Sequence, residues 1–260
     1  TAGASSTGFE LGDAVLGYST LGEAATWSDV SSDVRDFSIS RGKQRELDEY
    51  NSGSFGVTLD NTTRTYDPNN ASGAYYGQIK VGRWIRIKAT YDSTDYQLYQ
   101  GVIRDWAFNY KFPNEATANI SAFDFLTDLN NTNVTATTSA ALSGTVIGEI
   151  LNEANILPRD LDAGQETFQP VTLSNANALS SLRTADKSEG GGLSAIYANT
   201  SNQIVFEDRQ SLTANARSNT SQATFGGAAL PVADIQLEYS GTLIKNNVSL
   251  TRIGGAAQVK

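Results

Sequence analysis

Between residues 37 and 125 the chain is cut into short runs that alternate apolar with polar residues or stay briefly apolar: "FSIS", "SFGVTLDN", "RWIRIKATY", "YQLYQGVIRDW" and "ATANISAFDF". A period of two places successive side chains on opposite faces of an extended chain, so this pattern predicts an all-β segment and forbids a helical one. In "RWIRIKATY", Trp84, Ile85, Ile87 and Ala89 alternate imperfectly with Arg83, Arg86 and Lys88, which predicts one apolar face and one cationic face. The stretch "TYDPNNASGAYYGQIKVG" is too long for a tight hairpin and is rich in turn residues. It reads as a structured loop pinned by Tyr75 and Tyr76.

Beyond residue 125 the pattern changes. "TDLNNTNVTATTSAALSG" contains no aromatic residue and reads as a linker or surface excursion. "SGTVIGEILNEANI" places Val146, Ile147, Ile150, Leu151 and Ala154 at helical spacing behind a Ser or Thr able to cap the first turn. A second helix, "NANALSSLRTADKSEGG", carries Leu179, Leu182 and Ala185 on one face and stops at its glycines, where a left-handed residue costs little. "LSAIYANT" and "NQIVFEDR" then flank a turn near Ser201 and Asn202, so residues 140–210 read as a small α+β unit. Its own apolar set, Ile147, Ile150, Leu151, Leu179, Leu182 and Ile196, is large enough to form a core. β pattern resumes in "ADIQLEYSGTLIKNNVSLTR". The expected division is an N-terminal arm over 1–26, a β domain over 27–130, an α+β domain over 131–215, and a linker with the first strands of a second, incomplete β domain over 216–260.

Composition narrows the chemistry. The chain has 260 residues, no Cys and no His, which removes disulfides, thiolate and imidazole metal sites, and the Ser-His and Cys-His nucleophile pairs. A net charge of −9 disfavours a broad surface that neutralises nucleic-acid phosphates. Apolar runs are only a few residues long, so no membrane span is expected. Met is absent even at position 1, from which a processed or trimmed start is expected. Carboxylate pairs for glycoside hydrolysis need no His, and Asp105, Asp124, Glu207 and Asp208 stand near strand ends, but no spacing singles out a pair. The Asp/Asn-rich "LDNTTRTYDPNN" and "LPRDLDAG" lack the glycine and glutamate positions of a calcium loop and read as turns. No cofactor and no metal is expected.

The segment "SISRGKQRELDEYNSGSFGVTLDN" sets Arg41, Lys43 and Arg45 directly before Glu46, Asp48 and Glu49. A phosphate loop would need glycine spacing and a Lys-Ser/Thr ending that are missing here. Alternating signs suit a charge-paired surface or a contact between subunits, so these six residues are the candidate interface.

The order of these pieces resembles the N-terminal region of tail hub proteins of long-tailed bacteriophages, also called baseplate hub or tail-associated tip proteins. The resemblance rests on an Arg-Gly pair, an "RELD" segment, "VTLDN", a "DP…YYG" loop, "RIKA" and "YQLYQGVI", in that order. "LSSLRTADKSEGGGLSAIYANTSNQIVFEDR" resembles the middle domain of the same family, and together the likeness covers most of residues 27–210. The resemblance implies a mainly β fold: a tube-like β-barrel domain, an α+β insertion and the start of a second β-barrel. It also implies a homo-trimer in which each chain supplies two related barrels to a six-fold tube. The partners implied are the tail tube, distal tail proteins and other tail-tip or fibre proteins, with DNA passing through the lumen without specific binding. The location implied is the virion tail tip, with a structural role and no enzyme activity. An adhesion module stacking Trp84, Trp106 and tyrosines on host-surface carbohydrate is the alternative; a peptidoglycan hydrolase would need a lytic domain that is not recognisable here.

Overall fold

The computed structural model describes residues 2–5, 27–44, 48–190, 193–221, 223–225, 249–251 and 257–259. Arg45, Glu46, Gly191, Gly192 and the strand pattern of residues 233–248 lie outside the described residues. The architecture is mainly β, with strand residues well in excess of helical ones among the described residues, so that a sheet is the frame on which the helices sit. The chain divides into two units, residues 1–218 and residues 219–260.

The first unit is built on a seven-stranded sheet curled into a half-barrel. Its strands are β1 (Ala2–Ser5), β2 (Trp27–Asp29), β3 (Val34–Gly42), β4 (Asn51–Asp60), β5 (Trp84–Tyr91), β6 (Thr94–Lys111) and β7 (Glu115–Phe123). They are ordered β2-β1-β5-β6-β7-β4-β3, and no pairing among the described residues joins β2 to β3. Every contact between neighbours is antiparallel. Between Tyr91 and Thr94 only Asp92 (φ 47°) and Ser93 (φ 60°) intervene, and two consecutive residues of positive φ match the right-handed twist of the strands they join.

Alternation decides the faces, with one correction to the expected grouping: Trp84, adjacent to Ile85 in an extended strand, points the other way and packs against a second cluster with Phe125. Phe55, Val57, Leu59, Ile85, Ile87, Tyr99, Ile103, Ala118, Ile120 and Ala122 are buried on the inner face, with Val34, Ile39, Trp106 and Phe108 packed against them. Residues 61–82 close over this core as a succession of turns with main-chain bonds between residues three apart, such as Arg64 to Asn61 (2.8 Å) and Gly73 to Asn70 (2.8 Å). Tyr75 stacks on buried Tyr66 with ring centroids 5.4 Å apart, whereas Tyr76 is 55% exposed, so only the first of the two tyrosines pins the loop.

The supposed linker after residue 125 is structured. It holds α1 (Phe125–Asn130), β8 (Asn133–Thr137) and β9 (Ala141–Leu142), with Phe125, Leu126, Leu129 and Val134 buried. Its polar composition comes from the exposed positions between these anchors. Then follow α2 (Ser143–Glu153), β10 (Arg159–Leu161), β11 (Thr167–Phe168), β12 (Thr172–Asn177), α3 (Ala178–Glu189), β13 (Ala195–Ala198), β14 (Ile204–Glu207) and α4 (Arg209–Ala214). β10 lies parallel to β14, and β13 pairs antiparallel with β14 on its other side. Ile147, Ile150, Leu151, Leu179, Leu182 and Ile196 are all buried in one cluster, which also takes in Val102 and Phe125 and has Trp84 packed against it. The sheet therefore has two apolar interfaces, one on each side of β5 and β6 at this end.

Two details of the helices differ from expectation. No side chain caps the start of α2. The Ser143 hydroxyl instead donates to Glu189 Oε2 at 2.7 Å, because a buried carboxylate is the stronger acceptor within reach. α3 ends before Gly190 as anticipated, but Gly190 is extended (φ 175°) rather than left-handed. The left-handed terminus belongs to α2: Asn155 has φ 57°, its N–H donates to Asn152 O (3.0 Å), and Ile156 N–H donates to Leu151 O (2.9 Å). This is a Schellman closure sealed by the buried pair Leu151 and Ile156.

In the second unit, β15 (Ser249–Thr251) pairs antiparallel with β16 (Ala257–Val259).

Candidate functional site at the end of the third strand

The segment of mixed charge begins where β3 leaves the sheet and returns as β4. A bulge between Ser40 and Gly42, with Gly42 at φ 101°, turns the chain out of the ladder at this point. Arg41 is thereby aimed across the sheet. Its guanidinium donates to Leu98 O on β6 (3.1 Å) and to Ala198 O at the end of β13 (3.0 Å). Lys43 Nζ sits over the Tyr50 ring, 5.1 Å from its centroid, and Tyr50 stacks on Tyr197 of β13 at 4.9 Å. Glu49 receives two cations of α3: Arg183 Nε at 2.9 Å and Lys187 Nζ at 2.6 Å. The Lys187 hydrogen bond holds the Glu49 carboxyl below the usual glutamate range, with the Arg183 charge adding to it. Arg183 also donates to Tyr50 O (3.2 Å).

Three of the six candidate residues, Arg41, Lys43 and Glu49, thus have partners inside the chain. Arg45 and Glu46 lie outside the described residues. Asp48 is exposed and lines a cleft of about 250 Å³ together with Glu49, Tyr50, Leu126, Leu179, Arg183, Asp186 and Lys187. Asp186 faces this cleft with its carboxyl raised above the ordinary range, chiefly by burial, and its Oδ1 has no hydrogen-bond partner among the described residues. The side chains of Glu49, Arg183 and Lys187 are between 33% and 63% exposed, so each pair contributes at most about 1 kcal/mol. Their effect is orientation: they hold the 43–50 segment against α3.

Sequence reasoning missed these partners because they are far away in the chain. The signal that could have found them is the spacing of Arg183 and Lys187, four residues apart and so on one face of a helix.

The other residues singled out are dispersed. Asp124 is buried as the N-cap of α1, accepting from Leu126 N (3.1 Å), and it also receives Ser52 Oγ (2.8 Å) and Gly53 N (2.6 Å) of β4. Asp208 caps α4 through Gln210 N and Ser211 N and accepts from Gln165. Glu207 accepts from the Tyr197 hydroxyl (3.0 Å), and Asp105 is exposed on β6. Trp84 packs edge-on against Phe125, and Trp106 stacks on Phe108, so both indoles are engaged in packing. Arg86 lies 4.0 Å over the Trp27 ring, which is where part of the cationic face of β5 goes. Among the described residues no group of three or more acidic, His or Cys side chains is placed to hold a metal, and no helix is long and apolar enough to cross a membrane.

No family model and no curated protein matches the chain. Solved structures do. The 43 kDa tail protein of prophage MuSo2 from Shewanella oneidensis is similar at 16% identity and a TM-score of 0.46, over 72% of this chain and 50% of its own. The tail protein from Neisseria meningitidis MC58 is similar at 9% identity and a TM-score of 0.53, over 88% of this chain and 61% of its own. The E. coli c3393 protein is described as a component of the type VI secretion system with structural similarity to the T4 bacteriophage tail proteins gp27 and gp5. It matches at 11% identity and a TM-score of 0.43, over 67% of this chain and 48% of its own. The chain spans between 48% and 61% of the length of these structures. At a TM-score of 0.53 over 88% of its residues, this chain has the fold of the Neisseria tail protein.

Proposed function

We propose that the chain is a structural component of a bacteriophage tail tip: a trimeric hub that joins the hexameric tail tube to the distal tip and forms part of the channel through which DNA leaves. The observation that carries this reading is the curled, open seven-stranded half-barrel with an α+β unit seated on its outer side, a fold shared with a tail protein. An open barrel of this kind is a segment of a larger closed wall. The part of the outer face that no described element covers supports the channel. Ser38 and Ser40 of β3, Ser54 and Thr58 of β4, and Asn119 and Ser121 of β7 lie side by side on it, with Thr58 Oγ1 donating to Asn119 Oδ1 at 2.9 Å. The exposed carboxylates of Asp36, opposite Thr58, and Asp105, opposite Ser121, stand in the same rows, so these positions offer a passing phosphate backbone neutral or like-charged groups and no apolar wedge.

Arg41, Lys43, Arg45, Glu46, Asp48 and Glu49 are proposed to lie at the contact between subunits, with Asp48 presented outward by the internal pairing of its neighbours. Such charges set register and reject wrong partners more than they add affinity. Cryo-electron microscopy of intact tails tests the reading: density for this chain at the distal end of the tube, in three copies, is the expected result. A position along the tube or outside the tail overturns it.

A further inference from the structure

A groove of about 530 Å³ lies in the α+β unit, lined by α2, α3 and the strands β11 and β12. That volume is within the roughly 300–1,000 Å³ usual for small-molecule sites. Its floor is apolar: Val146 and Ile150 of α2 and Ala185 of α3 are each buried, and half-buried Phe168 of β11 stands beside them. It opens to solvent, since Gln169, Thr184 and Ser188 on its rim are exposed.

One wall can only accept hydrogen bonds. Ser181, Thr184 and Ser188 recur every three or four residues, which sets them on the side of α3 that lines the groove. Each hydroxyl gives its proton back to the helix: Ser181 Oγ to Asn177 O (2.9 Å), Thr184 Oγ1 to Ser180 O (2.9 Å) and Ser188 Oγ to Thr184 O (2.8 Å). A hydroxyl carries one proton and two lone pairs, so these three oxygens are left with lone pairs alone. Glu166 is the one charged residue among the described lining, and Arg209 matches it at 2.6 Å. The groove therefore calls for a neutral ligand rich in donors and carrying an apolar part.

That combination selects among ligand classes. An ammonium group donates, but it would exchange its hydration for neutral oxygens, which is unfavourable. A peptide main chain brings one carbonyl for every N–H, and this wall has no proton to give it. A sugar hydroxyl can turn its proton toward the wall and keep its oxygen on the water side. An acetamido group adds an N–H donor for the wall and a methyl for the floor of Val146, Ile150 and Ala185, and the C–H face of the ring fits against Phe168.

We propose that this groove binds an N-acetylated amino sugar, with the α3 hydroxyl oxygens accepting from its N–H and O–H groups and the acetyl methyl seated on the apolar floor. The site lies wholly within the α+β unit of one chain, so it goes beyond the hub reading and does not depend on it.

Saturation-transfer NMR on the full chain, with N-acetylglucosamine and its β-1,4-linked trimer as probes, tests the site. Transfer is expected to be strongest at the acetyl methyl and absent for glucose. The triple variant Ser181→Ala, Thr184→Val, Ser188→Ala weakens binding at least about tenfold while melting as the wild type does, because each hydroxyl served only a carbonyl already bonded within its helix. Thr184→Phe, which fills the groove from an exposed position, abolishes transfer. No transfer to either acetylated probe, equal transfer to glucose, or a triple variant that binds as the wild type does each overturns the proposal. So does binding of an uncharged acetylated tetra-alanine amide in place of the sugar, which would make the groove a protein contact. Should the triple variant melt early, Thr184→Val alone decides: it weakens binding several-fold, and unchanged binding overturns the assignment. The hub reading fails separately, by absence of the chain from purified tail tips, which these solution measurements do not touch.

Discussion

The guanidinium of Arg41 donates a hydrogen bond to the main-chain oxygen of Ala198 at 3.0 Å, joining the end of the third strand to a turn 157 residues later. The same turn is held twice more: Gln97 Nε2 donates to Thr200 O (2.8 Å), and the fully buried Asn202 accepts Phe125 N–H (2.8 Å). Replacing Arg41 with Ala leaves two carbonyl oxygens without their charged donor and is expected to cost about 1–2 kcal/mol in urea unfolding. Arg41→Lys recovers less than half of this, since a single ammonium cannot reproduce the planar fork that reaches both oxygens. An unchanged midpoint for Arg41→Ala would show that the turn is held without it.

Asn202 adopts φ 60°, so Asn202→Gly keeps the backbone at ease while deleting the acceptor for Phe125 N–H. A buried donor left unpaired costs about 1–3 kcal/mol, and the loss should appear as faster hydrogen exchange in the first turn of α1 as well as a lower Tm. Equal exchange in both proteins counts against the link.

Glu189 is 1% exposed and accepts from Ser143 Oγ (2.7 Å), Gln165 N (2.9 Å) and Glu166 N (3.0 Å). Glu189→Ala strands three donors around a cavity and is expected to destabilise by at least about 3 kcal/mol. Gly164→Ala should damage the same place, because Gly164 sits at φ +84° and a Cβ there would fall on the Ser143 hydroxyl. Chemical unfolding of the two variants, each falling by less than about 1 kcal/mol, would refute this account of the polar core.

Acid sensitivity follows from two carboxyls whose pKa values are shifted in opposite directions. Asp60 is held down to about 2, first by Thr62 N–H and then by Arg35, against an ordinary value of 3.8. A group depressed in the folded state stabilises the fold above its unfolded pKa and loses that contribution as pH falls through the folded one, so the Asp60 contribution disappears between roughly pH 4 and pH 2. Asp60→Asn should flatten the stability curve in that window. Asp186 is raised by burial, so its ionised form is the unfavourable one in the folded protein. Asp186→Asn is expected to raise Tm at pH 7, with the gain vanishing below pH 4. Thermal melts across pH that show an acid-independent gain would mean that charge is not the cause.

The β pattern of residues 37–125 was legible because burial on one face imposes a period of two. Ile85 and Ile87 of "RWIRIKATY", and Phe55, Val57 and Leu59 of "SFGVTLDN", sit where that period puts them. α2 and α3 were legible for the same reason at helical period, since Ile147, Ile150 and Leu182 must meet a core. Residues 126–142 were misread: where a few anchors such as Leu126, Leu129 and Val134 stand among Asn and Thr, composition is dominated by the exposed positions.

Local sequence determined the inward face of most strands between residues 37 and 125 and the apolar faces of α2 and α3, because those depend on neighbours a few residues away. Only the tertiary structure decided what the charges between Arg41 and Glu49 do. Glu49 finds Arg183 and Lys187, and Arg41 finds Ala198, through a fold that brings distant segments within 3 Å, and hydrogen bonds and ion pairs leave no periodic trace in the chain that makes them. The order of the strands belongs to the same class. That β3 has β4 alone as a partner among the described residues is a property of how seven strands are ordered, which alternation along any one of them does not encode.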